Sequence, residues 1–306
     1  MSAALVIAPP PFDPAGRRSP AWSSLVDRWR EDAFFKLGVS LVLVVVVAAV
    51  LAPLIAPYDP RHGDLANHYL APPGSHFLLG ADAEGRDVLS RILYGARLSL
   101  LVGLISQCVA VTLGLTLGLV AGYYRGGVDL AVMRLADVTL AFPSLLLLIA
   151  VAAAIRPSLP VIFVVIGAVG WAGMARLVRS QVLVLGRSEY VIAARALGAR
   201  DRWIMLRHLV PNVRAVVIIT ATLGIAGAIM AEAALSFVGL GAQPPTPSWG
   251  AMVAEGRDLI RVAPWVSVAP GLAIGIAVLG FNLVGDGLRE ALDPLTRTRV
   301  SLDSHP

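Results

Sequence analysis

The sequence predicts an all-α integral membrane protein with six transmembrane helices. Three observations carry this. Of its 306 residues, 57% are apolar and only 15% charged, with a mean hydropathy of +0.76. That balance excludes a soluble globular domain. Six apolar stretches of roughly 20 residues, the length that crosses the hydrocarbon, recur along the chain. The cations are also unevenly placed. With the N-terminus inside, 18 of the 25 Lys and Arg residues fall in inner segments and 7 in outer ones. The asymmetry favours cytoplasmic N- and C-termini and an even number of spans. It also explains the net charge of +5 without nucleic acid as a partner.

Residues 1–36 read as a cytoplasmic tail. Its first part holds Pro9, Pro10, Pro11, Arg17 and Arg18 and lacks the apolar content to order itself. Its second part, from Trp22 to Lys36, reads as an interfacial helix feeding a span. The apolar region starts too late and runs too long for a cleaved signal peptide. The spans are expected at residues 37–56, 98–122, 133–155, 160–178, 213–237 and 265–284. This divides the chain into a first transmembrane helix (37–57), an extracytoplasmic segment (58–97), a core of five helices (98–290) and a cytoplasmic C-terminal tail (291–306).

The first span has no Gly between Val39 and Leu51. It is expected at the periphery, facing lipid, because a helix without small residues does not approach its neighbours closely. The second carries Gly114, Gly118 and Gly122, a stripe at spacing four that suits tight packing. The sixth, with Gly271, Ala273, Gly275, Ala277 and Gly280, reads the same way. Pro143 in the third span and Pro270 in the sixth mark bends.

The outer segment between the first two spans ends in an amphipathic pattern. Val88, Leu89, Ile92 and Leu93 share one helical face, with Asp87, Ser90 and Arg91 off it. A helix lying on the outer surface is expected there. His62, His68 and His76 in this segment lack the spacing of a compact metal site and read as solvated loop histidines. In the second outer segment, Trp249 suits the membrane interface and residues 251–261 suit a short helix.

Residues 189–212 differ from everything around them in being polar, basic and helix-forming. Glu189 to Leu197 favours a helix whose Ala193-Ala194 pair makes a thin face. Gly198 can take positive φ and stop it. Asp201 is placed to cap a second helix, Arg202 to Val210, that Pro211 ends. A short helix with a small-residue face suits docking into another protein.

The strings Tyr190-x-x-Ala-Ala-Arg-Ala-Leu-Gly-Ala199 and Arg207-His-x-x-Pro211-Asn212 resemble the EAA loop of ABC-importer permeases, closest to the dipeptide, oligopeptide and nickel branch. Three further strings resemble the same family. They are Leu79 to Arg91, which fits Leu-Gly-x-Asp-x-x-Gly-Arg-Asp-Val-Leu-Ser-Arg without a gap, Leu235 to Gly250, and Phe281 to Pro294. The resemblance implies a type I ABC importer transmembrane domain in the cytoplasmic (inner) membrane of a prokaryote. It implies a second homologous permease as heterodimer partner, two cytoplasmic ATP-binding subunits and an extracytoplasmic solute-binding protein. No cofactor is expected on this chain, since ATP and Mg belong to the partner subunits. The loop's ATPase-coupling residues would be Tyr190, Ala193, Ala194, Arg195, Leu197 and Gly198, with Ala199, Arg207 and Pro211 behind them. One departure is Ile192, which stands where the motif's leading Glu is usual.

Glu232, Asn282 and Gln107 are polar groups within spans and are candidates for the pathway or a gate. Glu232 lies close enough to the end of its span to cap, to pair with an outer arginine or to line the gate. The chain has no Gly-x4-Gly-Lys-Ser/Thr phosphate loop, no His-Glu-x-x-His and no Gly-x-Ser-x-Gly. It is therefore expected to be a transport subunit and not an enzyme. The competing class is a secondary transporter driven by an ion gradient, which usually shows midplane ionisable residues and inverted repeats. The solute expected from the resemblance is a dipeptide or oligopeptide, with nickel chelates or another small solute as the alternative.

Overall fold

A computed structural model describes Trp29, residues 32–155 and residues 158–292. The expected N-terminal tail with most of its interfacial helix, and the C-terminal tail beyond Leu292, lie outside the described residues. Among these residues the chain is helices and loops, with one isolated bridge between Ala81 and Asp87.

Helix α1 runs Ala33–Ile55. Asp32 caps it, its carboxylate accepting from the N–H groups of Phe34 at 2.8 Å and Phe35 at 3.2 Å. Pro53 sits inside α1 and has no N–H, so the Ala49 carbonyl four residues earlier loses its helical donor. Arg97 fills the gap, Nε donating to that carbonyl at 2.7 Å. A side chain expected in the outer segment is thus a staple between two helices. Arg97→Ala is expected to cost about 1–3 kcal/mol, the penalty of an unpaired carbonyl in apolar surroundings. A lower thermal midpoint in detergent, partly recovered by Arg97→Lys, is the check.

The apolar side chains of α1 are largely exposed, as expected for a peripheral helix, yet it approaches its neighbour closely. The small residues lie elsewhere than the sequence reading looked. A Cβ on Gly38 would sit 2.6 Å from Leu283 Cβ, and one on Gly280 would meet Leu41 and Val42 at 3.1 Å.

After the short α2 (Leu65–His68), helix α3 runs unbroken from Val88 to Tyr124. The expected surface helix and the second span are therefore one helix of 37 residues. No proline interrupts 88–124, so nothing stops the backbone ladder at the expected boundary. The glycine stripe packs against α6 (Leu159–Leu185). Cβ atoms on Gly114, Gly118 and Gly122 would meet Met174 and the Ala175 carbonyl at 2.5 Å, and Val182 at 2.8 Å.

The third span is not one straight helix. α4 (Gly126–Ala141) and α5 (Ser144–Ala154) meet at 92°. Pro143 disfavours helical geometry at the preceding residue, and Phe142 is extended at φ −90°, ψ 140°. Among the described residues five helices are long and apolar enough to cross a membrane, and this bent pair makes six if it counts as one crossing.

α7 (Glu189–Ala196) and α8 (Asp201–Ile204) follow, then a π turn (Met205–Leu209) that leads directly into α9 (Val210–Phe237). Pro211 does not end a helix. It lies in the first turn of α9, directly after the π turn. The wider π turn accommodates the proline, with the Val210 N–H reaching back five residues to the Met205 carbonyl. Asn212 Nδ2 then takes the His208 carbonyl at 2.6 Å.

α10 (Trp249–Gly256), a 3₁₀ turn and α11 (Trp265–Leu292) complete the chain. Trp249 is buried, not interfacial. Its indole N–H donates to the Ile92 carbonyl at 2.9 Å and its ring lies over Gly95. On α11, Gly280 and Ala277 are packed, but Gly271 and Gly275 have nothing within 4 Å of a would-be Cβ. The expected close-packed stripe is therefore only half used within this chain.

Candidate functional site

Val191 is the buried anchor of α7. Val191 is fully buried in a cluster with Val178, Val182, Ile204, Leu209 and Val213, which ties α7 to α6 and α9. Its end is a Schellman turn. The Gly198 N–H bonds the Arg195 carbonyl, and the Ala199 N–H bonds the Ala194 carbonyl. Gly198 has φ +78°, a conformation that glycine adopts without steric cost.

Asp201 does not cap α8 with its side chain. The N-cap is Arg200, and Asp201 Oδ1 accepts from the Tyr123 hydroxyl at 2.7 Å. The Arg195 guanidinium lies 5.3 Å from the centre of the same Tyr123 ring. Tyr123, at the end of α3, therefore pins both halves of the loop. The aromatic rings of Tyr190 and Trp203 flank His208 at 5.8 and 4.7 Å.

With Val191 committed inward, the opposite face is open. Leu197 is 89% exposed. Tyr190, Ile192, Ala193 and Ala196 are exposed with it, Arg195 is exposed on the side of Tyr123, and Trp203 and Leu206 extend the apolar surface onto α8 and the π turn. Ala194 and Ala199 are half-buried, while Arg207 and Pro211 are exposed. Of the nine loop residues singled out from the sequence, seven lie on the open surface and two form its footing. The sequence reading missed Val191, Trp203 and Tyr123. The signal for Val191 was present, since it lies opposite Ala193 on a helical wheel.

The three intramembrane polar residues are not gathered at one place. Gln107 Nε2 donates to the Gly224 carbonyl at 3.0 Å and fixes α3 to α9. Asn282 is half-buried on α11. Glu232 is 1% exposed, and its Oε1 accepts from the Ser236 hydroxyl at 2.7 Å. No arginine pairs with it among the described residues.

The opposite end of the bundle holds a buried charge cluster that sequence reading assigned to a surface. Asp82 and Arg91 are 2% and 3% exposed. The Asp82 carboxylate accepts from Arg86 Nε at 2.7 Å, from Arg91 Nη1, and from the backbone N–H groups of Glu84 and Arg86. Glu255 on α10 receives Arg91 at 2.7 Å and Arg86 at 3.2 Å. Asp87 caps α3, its Oδ2 accepting from the Ser90 N–H at 2.7 Å. The turn depends on Gly85 (φ +72°), where a Cβ would sit 2.4 Å from the Asp64 carbonyl. Arg86 and Arg91, through Asp82 and Glu255, thus clamp the loop before α3 to α10. Nearby, His62 and His68 pair with Asp59 at 3.1 Å and Asp64 at 3.7 Å.

Two family models match the sequence. One, described as the binding-protein-dependent transport system inner membrane component, covers residues 114–298. The other, the N-terminal TM domain of oligopeptide transport permease C, covers residues 21–73. A dipeptide transport system permease protein of Alkalihalophilus pseudofirmus is 42% identical over 94% of each chain. A di/tripeptide transport system permease protein of Pseudomonas aeruginosa is 44% identical over 89% of this chain and 92% of its own length. A glutathione transport system permease protein of Shigella sonnei is 41% identical over 95% of this chain and 96% of its own.

Proposed function

This chain belongs to the family of binding-protein-dependent transport system inner membrane components, and from that premise we propose that α7 is the helix through which ATP-binding subunits drive its spans. The chain is a multi-pass inner-membrane permease subunit of an ABC importer for peptides, not an enzyme. ATP-binding subunits and a substrate-binding protein are its partners.

The finer assembly is a heterodimer with a second permease, served by two ATP-binding subunits that carry the ATP and Mg. The termini and α7 face the cytoplasm, in line with the cation asymmetry. Peptides are favoured over nickel chelates because the relatives are named for dipeptide, di/tripeptide and glutathione transport.

The single observation that carries the coupling role is the open face of α7 around Ala193 and Leu197, on a helix anchored on its other side through Val191. ATP-driven closure of the partner subunits would push this face. The push passes through α8 and the π turn into α9, because Asp201 to Phe237 is one uninterrupted helical run. A rigid rod carries a displacement at its end into the membrane, where differential binding to two states moves the pathway between them.

Purification of the tagged chain in mild detergent, with subunit stoichiometry read by mass spectrometry, is the test. The wild type is expected to bring ATP-binding subunits and a second permease. Leu197→Glu places a charge on a side chain that is 89% exposed among the described residues, and it is expected to lose the ATP-binding subunits while keeping the second permease. Retention of the ATP-binding subunits by Leu197→Glu and by Ala193→Arg alike would overturn the assignment of the docking face.

A further inference from the structure

Behind α7 lies a cleft of about 480 Å³ between the ends of α3 and α6. Its walls carry three arginines, Arg125, Arg187 and Arg195, with Tyr123 and Tyr124 beside them. None of the three forms a salt bridge among the described residues, and two nearby carboxylates are engaged elsewhere. Asp201 takes the Tyr123 hydroxyl at 2.7 Å, and Asp129 takes Arg179 Nη2 at 2.6 Å. Arg125 reaches the cleft from a backbone at φ 56°, ψ −162°, a region that side-chain-bearing residues rarely occupy and that tends to mark functional positions.

The helix ends do not neutralise these cations. The C-termini of α3 and α6 lie here, each carrying roughly half a negative charge, and the N-termini of α4 and α7, which start at Gly126 and Glu189, carry roughly the opposite. The helix ends thus roughly cancel, and Glu189, exposed in the first turn of α7, offsets one of the three positive charges and leaves about two. Guanidinium groups are planar forks that match the oxygens of a phosphate. Tyr123 and Tyr124 end an apolar helix, the position where aromatic side chains meet the headgroup layer. Basic pockets between transmembrane helices at this level suit anionic headgroups.

We propose that the Arg125–Arg187–Arg195 cleft binds a phosphate group, supplied by an anionic phospholipid headgroup or by a phosphate-bearing solute. Ile192 and Arg195 of α7 form one wall, so an occupant bridges α7 to α3 and α6. The consequence for transport, that occupancy steadies α7, rests on the coupling role proposed above, whereas the binding itself does not.

The test follows the thermal unfolding midpoint of the purified full-length chain in detergent, without ATP-binding subunits. Short-chain phosphatidylglycerol, short-chain phosphatidylcholine and inorganic phosphate are added separately. Phosphatidylglycerol is expected to raise the wild-type midpoint by about 3 °C or more and phosphatidylcholine to leave it unchanged. Arg125→Ala/Arg187→Ala is expected to lose the rise, while Arg214→Ala, at an exposed cation outside the cleft, keeps it. A rise with phosphatidylglycerol alone identifies a lipid site, and an equal rise with inorganic phosphate identifies a solute site. Equal responses of wild type and the double variant, loss of the rise in Arg214→Ala, or no response to either anion overturns the proposal. Since the assay contains no ATP-binding subunit, failure of the coupling reading leaves its result unaffected.

Discussion

Asp82→Ala is expected to destabilise the chain by about 3–5 kcal/mol, the cost of breaking a buried ion pair from one side. The Asp82 carboxylate is the shared acceptor for Arg86, Arg91 and two backbone N–H groups. Its loss leaves two guanidinium groups, 5% and 3% exposed, with Glu255 as their main compensation. An ionised group out of water without a partner is costly, and arginine does not escape by losing its proton. A thermal midpoint in detergent, compared with Glu84→Ala, reads the effect. Glu84 also contacts Arg86, at 2.9 Å, but it is 67% exposed and is expected to matter by less than about 1 kcal/mol. Asp82→Asn keeps acceptor capacity without charge and falls between the two. Near-equal midpoints for Asp82→Ala and Glu84→Ala would sink the idea that the clamp stabilises the join between the α3 entry and α10.

Gly198→Val is expected to cut ATP-driven peptide uptake at least about tenfold in membranes containing the whole importer, with the chain still inserted and assembled. Space is not the obstacle, since a Cβ at this position meets nothing within 4 Å. The backbone is the obstacle. At φ +78° an ordinary L-residue costs about 1–2 kcal/mol, and a β-branched one is a true outlier. That cost falls on an eight-residue helix whose fully buried anchor is Val191. The Schellman turn would reopen and Leu197 and Ala193 would leave their positions. Gly198→Asn separates conformation from side-chain bulk, because Asn tolerates positive φ, and it is expected to retain most of the uptake. Full uptake by Gly198→Val would show that this turn does not set the docking geometry.

The membrane character, the helical class and the α7 segment were legible because each is a property of a continuous stretch. A run of 20 apolar residues has one cheap solution in lipid, a helix. Gly198 at the end of a helix-forming run is a local stop signal, and the structure uses it as one. The stripe Gly114, Gly118, Gly122 was also readable, because its spacing puts three small residues on one face whatever the partner.

Other features depended on residues far apart in the chain. Pro211 reads as a stop, yet α8 passes through a π turn into α9, with Asn212 holding the His208 carbonyl. Arg91 reads as a surface cation on an amphipathic helix until Asp82 and Glu255, the latter 164 residues away, close around it. Trp249 reads as interfacial until Gly95 provides its slot. Arg97 reads as an outer-segment charge until Pro53 frees the carbonyl it serves.

The sequence by itself determined that this chain lives in a membrane, crosses it as helices and presents one polar helical loop, because hydropathy and backbone preference act locally. Only the tertiary structure decided which polar groups are buried and with whom, how the third span bends, and that the loop continues into α9. A buried charge or carbonyl is stable only against a particular partner in three dimensions, and composition does not identify that partner.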